Sequence, residues 1–451
     1  MHVELESGYR SLTVDDFLNS NVDDWARDLD LVGNVVSHPV ARRVEVLVVA
    51  AVTTIDLASF DDEEEAGAGR ADFSLRLGRQ PSETLRVLDL TGCGGLSGAA
   101  LPRLTTLRLR QCFSQIEDLQ ALIDSAPELA AVHLDSVFLA GTKEGCVRLR
   151  FWAATALVMT NCGSGCFERG GGALEIDVPM LRSFKYTGFP RRFSLISSAP
   201  DMARADLRFL HQEHHDVHNA DERRALFWRF LHNFGGVKSL KLKVSSLKSI
   251  AVGGRALRAE LLLVLPGVEH LELTAPHNPA SESCPVSIGN LLRCCPNVRD
   301  LVLRLSRDLP PYSFKNSTYV HDVLQEQRRA DLDVSLHRSA RRRRGGKSNR
   351  RRQEGGLLGD AGGIHGLSGR SFACLRSSLR RVSIQFQFEL DQPNSLGVRL
   401  IKFFAENATC LQEMCIDDGN DRIGGHINPW VERWVIAISL PRFRALPLER
   451  Q

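Results

Sequence analysis

One phrase returns along this chain: a proline, an aliphatic residue two positions later, and two apolar residues five and seven positions after the proline. It is read at Pro102 with Leu104, Leu107 and Leu109, and at Pro127 with Leu129, Val132 and Leu134. Pro179 repeats it with Leu181, Phe184 and Tyr186, Pro266 with Val268, Leu271 and Leu273, and Pro296 with Val298, Leu301 and Leu303. Pro200 and Met202 open a poorer copy, completed by Ala205 and Leu207. The stretches Leu85–Leu90, Val237–Leu242, Leu379–Ile384 and Leu411–Ile416 carry the phrase without its proline.

Each part has a mechanical reason. Proline lacks an N–H and cannot continue a helix, so it closes the preceding segment. The last two apolar residues are two apart and face the same side of a short strand. The first lies where the chain turns into that strand. Leu104 and Leu129 are 25 residues apart, and the 52 from Leu129 to Leu181 hold two units. The middle unit is Ala154, Leu157 and Met159, followed by Asn161 and Cys162 as turn residues. Between strands, Ile116, Leu119, Leu122 and Ile123 recur at helical spacing, as do Leu261–Leu265, Ile288–Leu292 and Leu400–Phe404. A doubly wound α/β domain also alternates strands and helices, but it does not demand one phrase every 25–30 residues. The expected fold is therefore α/β: an irregular leucine-rich-repeat solenoid, a curved parallel sheet with helical returns.

Composition bounds the rest. The 451 residues are 43% hydrophobic, enough for a large core, and a repeat array grows without splitting into domains. Net charge is only +3, which argues against a nucleic-acid binder as a whole. Charge is local, acidic at Asp61–Glu65 and basic at Arg341–Arg352. The eleven cysteines are odd in number and several sit in apolar segments, which fits reduced thiols in the nucleus or cytoplasm better than a disulfide framework. The opening residues are polar, without the apolar core of a signal peptide, and no apolar run reaches the ~18 residues of a membrane span.

The expected organisation is a cap or degenerate first repeats over 1–80, repeats over 81–306, a disordered Arg/Gly-rich insertion over 307–370, further repeats over 371–438 and a tail over 439–451. In the first of these, Phe17, Leu18, Val22, Trp25 and Leu29 suggest a helix and Arg43–Val49 a strand. The insertion lacks apolar periodicity, so it cannot bury enough surface to offset chain entropy.

The phrases, together with Phe403, Phe404, Asn407, Ala408, Leu411, Met414 and Ile416, resemble plant F-box/leucine-rich-repeat proteins. The last segment looks like their FBD-type C-terminal motif, a helix with paired phenylalanines leading into a final strand. The resemblance covers roughly residues 30–306 and 372–436. It implies that the repeats recruit a protein substrate and that an N-terminal F-box docks on a Skp-type adaptor of a cullin ubiquitin ligase. No leucine-proline opening or three-helix pattern precedes the repeats here, so adaptor docking is implied only with an F-box restored.

No catalytic constellation emerges, neither a Gly-x-Ser-x-Gly elbow nor paired carboxylates, so the chain is not expected to be an enzyme. His211, His214, His215 and His218 would share one helical face, but no His-Glu-x-x-His pattern forms. Cys162 and Cys166 have no matching second pair, and Cys162 is better explained as a turn residue. Gly346, Lys347 and Ser348 follow Arg341 where a P-loop needs glycine. Neither metal nor cofactor is expected.

Nine Lys or Arg residues lie between Arg338 and Arg352. Arg341, Arg342, Arg343, Arg344, Lys347, Arg350, Arg351 and Arg352 read as a nuclear import signal, as a nucleic-acid tether, or as a solvated insertion without function. No aromatics interleave for base stacking, which ranks nucleic acid last and leaves a nuclear nucleic-acid-associated protein as the alternative function. The expected partner surface is the concave sheet face. Its positions are Asp89, Arg108, Arg110, His133, Asp135, Lys185, Lys241, Lys243, Glu272 and Arg304. Six are basic and three acidic, favouring an acidic or phosphorylated protein partner.

Overall fold

The computed structural model describes residues 2–6, 44–52, 74–76, 84–97, 100–140, 146–162, 173–197, 199–210, 220–277, 283–307, 364, 367, 370–386 and 396–417. The chain is mixed α/β, with a large parallel sheet and few helices. It divides into two compact units, residues 1–219 with 229–236, and residues 220–228 with 237–451.

In the first unit the main strands are β1 (His2–Glu6), β2 (Val46–Val52), β3 (Val87–Thr91), β4 (Thr106–Arg110), β5 (Ala131–Asp135), β6 (Ala156–Thr160), β7 (Ser183–Gly188) and β8 (Arg204–Phe209). Each pairs in parallel with the next in chain order. The phrase supplies the register. Leu88, Leu107, Val132, Leu157, Phe184 and Ala205 form one buried row, and Leu90, Leu109, Leu134, Met159, Tyr186 and Leu207 the next. Burying a side chain of this size contributes roughly 1.5–3 kcal/mol, so each strand is anchored by its own pair.

The proline does more than end a segment. Leu104 N donates to Leu101 O at 3.0 Å, Leu129 N to Ala126 O at 3.1 Å, Leu181 N to Val178 O at 3.3 Å and Met202 N to Ala199 O at 3.1 Å. Each bond closes a four-residue turn with proline second, where its fixed φ is favoured. A single carbonyl then accepts two successive N–H groups from the following strand. Thr105 O takes Ala130 N and Ala131 N, Ala130 O takes Thr155 N and Ala156 N, and Thr155 O takes Arg182 N and Ser183 N. At the far end of the strands, Gly92, Gln111, Ser136 and Asn161 have φ of 69°, 50°, 54° and 49°. This left-handed residue turns the chain, and the next residue, Cys93, Cys112, Val137 or Cys162, is buried.

The returns of this unit depart from expectation. One is the helix α1 (Ile116–Asp124), which buries Ile116, Leu119, Leu122 and Ile123 as anticipated. The others are short parallel strands: Ser74–Arg76, Gly94–Ser97, Phe113–Gln115 and Phe138–Ala140 in one sheet, and Cys146–Arg150, Ala173–Asp177 and Arg192–Leu195 in another. Leu174 and Ile176 are buried around Glu175, a period of two that favours strand over helix.

The helix α2 (Ala220–His232) lies next in the chain. Within the first unit, Phe230 and Phe234 stack on Phe193 and Phe184, with ring centroids 4.5 Å apart for Phe193 and Phe230 and 5.4 Å for Phe184 and Phe234.

In the second unit β9 (Ser239–Lys243), β10 (His270–His277), β11 (Asp300–Arg307), β12 (Arg381–Phe386) and β13 (Glu413–Asp417) again pair in parallel in chain order. Registered residues His270 and Asp300 are 30 apart, against 25 for Ala131 and Ala156. The longer return holds helices: α3 (Arg255–Leu261), α4 (Ser283–Cys294), α5 (Ala373–Ser377) and α6 (Leu396–Asn407). β11 pairs directly with β12, so residues 308–380 intervene in sequence without breaking the register. Ile364, Leu367 and Phe372 are buried, so apolar packing resumes before Cys374 and before the expected boundary at 370. Phe403 and Phe404 are core residues, Phe403 set edge-on to Phe372.

Candidate functional site

Where Leu and Val point inward, the alternate residues face out. In the first unit one outward row is Asp89, Arg108, His133, Val158, Lys185 and Asp206, and a second is Thr91, Arg110, Asp135, Thr160, Thr187 and Arg208. All six candidate positions of this unit therefore fall on two adjacent rows of one face.

Asp89 is the exception in burial, at 6% exposed. Its Oδ2 lies 3.3 Å from Arg110 Nη2 and 3.7 Å from Arg108 Nη1, while Oδ1 is buried without a hydrogen-bond partner among the described residues. Burial holds the neighbouring His133 imidazole below the usual histidine range, and the guanidiniums of Arg108 and Arg110 act in the same direction.

In the second unit the outward rows are Lys241, Glu272, Val302, Ser383 and Cys415, and Lys243, Thr274, Arg304, Gln385 and Asp417. Glu272 accepts both Lys241, at 2.6 Å, and Arg304, at 3.4 Å. A third row, Ser239, His270, Asp300, Arg381 and Glu413, holds a parallel arrangement. Asp300 pairs with His270 and, through two bonds, with Arg381. Burial alone would raise its carboxyl, but Arg381, with help from His270, holds it below the usual carboxylate range.

Two carboxylates offset part of the positive lean expected from the candidate positions, each holding two of the bases. Arg108 and Arg110 close on Asp89, and Lys241 and Arg304 on Glu272. Of the six basic candidates, Lys185 and Lys243 form no ion pair among the described residues. Sequence reading missed Arg204, Asp206 and Arg208 on β8, although the outward rule applied to the Pro200 copy points to the last two. It also missed the His270, Asp300 and Arg381 cluster, whose residues precede the first strand apolar in each phrase.

Cys162 is held inside: its Sγ donates to Leu134 O at 3.4 Å, and burial raises its thiol to about 11. Cys166, His211, His214, His215, His218 and the run Arg338–Arg352 lie outside the described residues. Among the described residues no helix is long and apolar enough to cross a membrane. No family model, no curated protein and no solved structure matches the chain.

Proposed function

We propose that this chain is a leucine-rich-repeat solenoid whose outward sheet face binds a protein partner. The observation that carries the reading is the register. Six consecutive strands, β3 to β8, align their outward residues in continuous rows, so a partner meets a surface built from one or two side chains per strand. The recurrent turn before each strand, the shared carbonyl, and the left-handed residue followed by a buried cysteine or valine are what equivalent stacked units require.

We infer from the sequence resemblance alone that the module acts as the substrate-recruiting part of an F-box ubiquitin-ligase adaptor in the nucleus or cytoplasm. Ligase docking would need an F-box, and no catalytic role is assigned. Site-specific photocrosslinking in a eukaryotic cell extract tests the proposal. A photoreactive phenylalanine analogue at Val158 or Thr160, on the outward face, should give discrete protein adducts. The same analogue at Glu117 or Arg148, exposed on the returns, should give few. Adducts confined to Glu117 and Arg148 would overturn it.

A further inference from the structure

The outward faces of β7 and β8 differ from those of β3 to β6. Lys185, Arg204 and Arg208 are all exposed, and none forms an ion pair or hydrogen bond through its side chain among the described residues. The reason lies next door. The outward positions of β6 are Ala156, Val158 and Thr160, which register with Ser183, Lys185 and Thr187 and carry no charge. No acid on that side closes on these cations as Asp89 closes on Arg108 and Arg110.

The geometry makes the three act together. Lys185 registers with Asp206, and Arg204 and Arg208 lie two residues either side of it. Neighbouring strands are about 4.8 Å apart and alternate residues of a strand roughly 6.6 Å apart, so the three long side chains can converge on one point. The hydroxyls of Ser183 and Thr187 register with Arg204 and Arg208 and offer further donors. Three cations and the Asp206 carboxylate leave a local charge of +2. A phosphorylated side chain carries about −1.5 to −2 and three strong acceptor oxygens, and guanidiniums bind such oxygens bidentately.

We propose that this patch recognises a phosphorylated serine or threonine on the protein partner. The inference rests on the outward face being the binding surface, as argued above. It assigns the anion contact to β7 and β8 and removes it from Arg108 and Arg110.

The test uses the full chain, immobilised, and degenerate peptide libraries with a fixed central phosphoserine, serine or aspartate. The phosphoserine library should be retained at least tenfold over the serine library. The triple variant Lys185→Ala, Arg204→Ala, Arg208→Ala should lose that preference, while Arg148→Ala keeps it. Asp206→Asn, which removes the carboxylate registered with Lys185, should raise retention and so guards against a folding artefact in the triple variant. Equal retention of phosphoserine and serine libraries, or a preference that survives the triple variant, overturns the proposal. So does displacement of the phosphopeptides by an RNA homopolymer at matched charge, which would make the patch a general polyanion surface. Adducts at Val158 without phosphate preference would sink this inference alone and leave the binding face standing.

Discussion

Asp89, buried in strand β3, receives Arg110 from the neighbouring strand β4 at 3.3 Å, and Arg108 approaches the same carboxylate oxygen at 3.7 Å. A buried acid thus fixes two half-exposed bases on the outward face. Its energetics are asymmetric. Truncating both arginines in Arg108→Ala with Arg110→Ala strands a charge whose second oxygen already lacks a partner among the described residues, and should cost about 1–3 kcal/mol. Asp89→Asn removes the charge along with its desolvation penalty and should cost less than about 1 kcal/mol. Urea midpoints of the two variants should rank in that order, and the reverse order would show that the pair itself is the stabilising element.

His133 should make the first unit acid-sensitive. Its pKa is depressed in the folded chain by burial and by Arg108 and Arg110. Below about 6.5, the ordinary histidine value, the unfolded chain takes up a proton that the folded chain resists. Stability from this group is therefore complete above that pH and lost as pH falls towards the lower folded value. Thermal melts from pH 7.5 to 5 should show a decline that His133→Gln reduces. An identical decline in the variant would place the acid sensitivity elsewhere.

Gly397 opens helix α6 directly over Phe386, and a Cβ there would lie on the Phe386 ring. Gly397→Ala should therefore destabilise by about 1–3 kcal/mol through overpacking. Nothing lies within 4 Å of a Cβ at Gly236, so Gly236→Ala should stay within about 0.5 kcal/mol of the parent. Comparable midpoints for the two variants would contradict the packing of α6 on β12.

The thiols should react in the order of their burial. Cys410 is exposed, whereas Cys93, Cys112, Cys162, Cys294, Cys295 and Cys374 are buried. Burial raises the Cys294 thiol to about 12 and that of Cys374 to about 11, which suppresses the reactive thiolate. Brief native alkylation followed by peptide mass spectrometry should modify Cys410 well before these six. Early modification of Cys162 would mean that the row behind the strand ends is open to solvent.

What could be read in advance was what repeats. Apolar pairs such as Leu107 with Leu109 and Leu301 with Leu303 mark strands because alternation reports burial directly. The returns were less legible. Segments such as Cys146–Arg150 are short and carry two buried residues, too few to tell a strand from one turn of helix. The proline was read as a stop, although its place as second residue of a turn depends on a hydrogen bond closed three residues apart. The outward positions followed from the phrase, but their electrostatics did not. Whether Arg110 is free or spoken for depends on Asp89, 21 residues away, and only the cross-strand register brings them together.

That register is open to a direct measurement. Val158 on β6 and Lys185 on β7 are paired outward neighbours, and adjacent strands place their Cα atoms about 4.8 Å apart, within the roughly 4.4–6.8 Å that a disulfide spans. The double variant Val158→Cys with Lys185→Cys should form an intrachain disulfide under mild oxidation, identified by peptide mass spectrometry. Val158→Cys with Thr91→Cys, separated by the intervening strands β4 and β5, should not. Failure of the first pair to link, or equal linking of both, would contradict an in-register stack and with it the surface on which the proposed function depends.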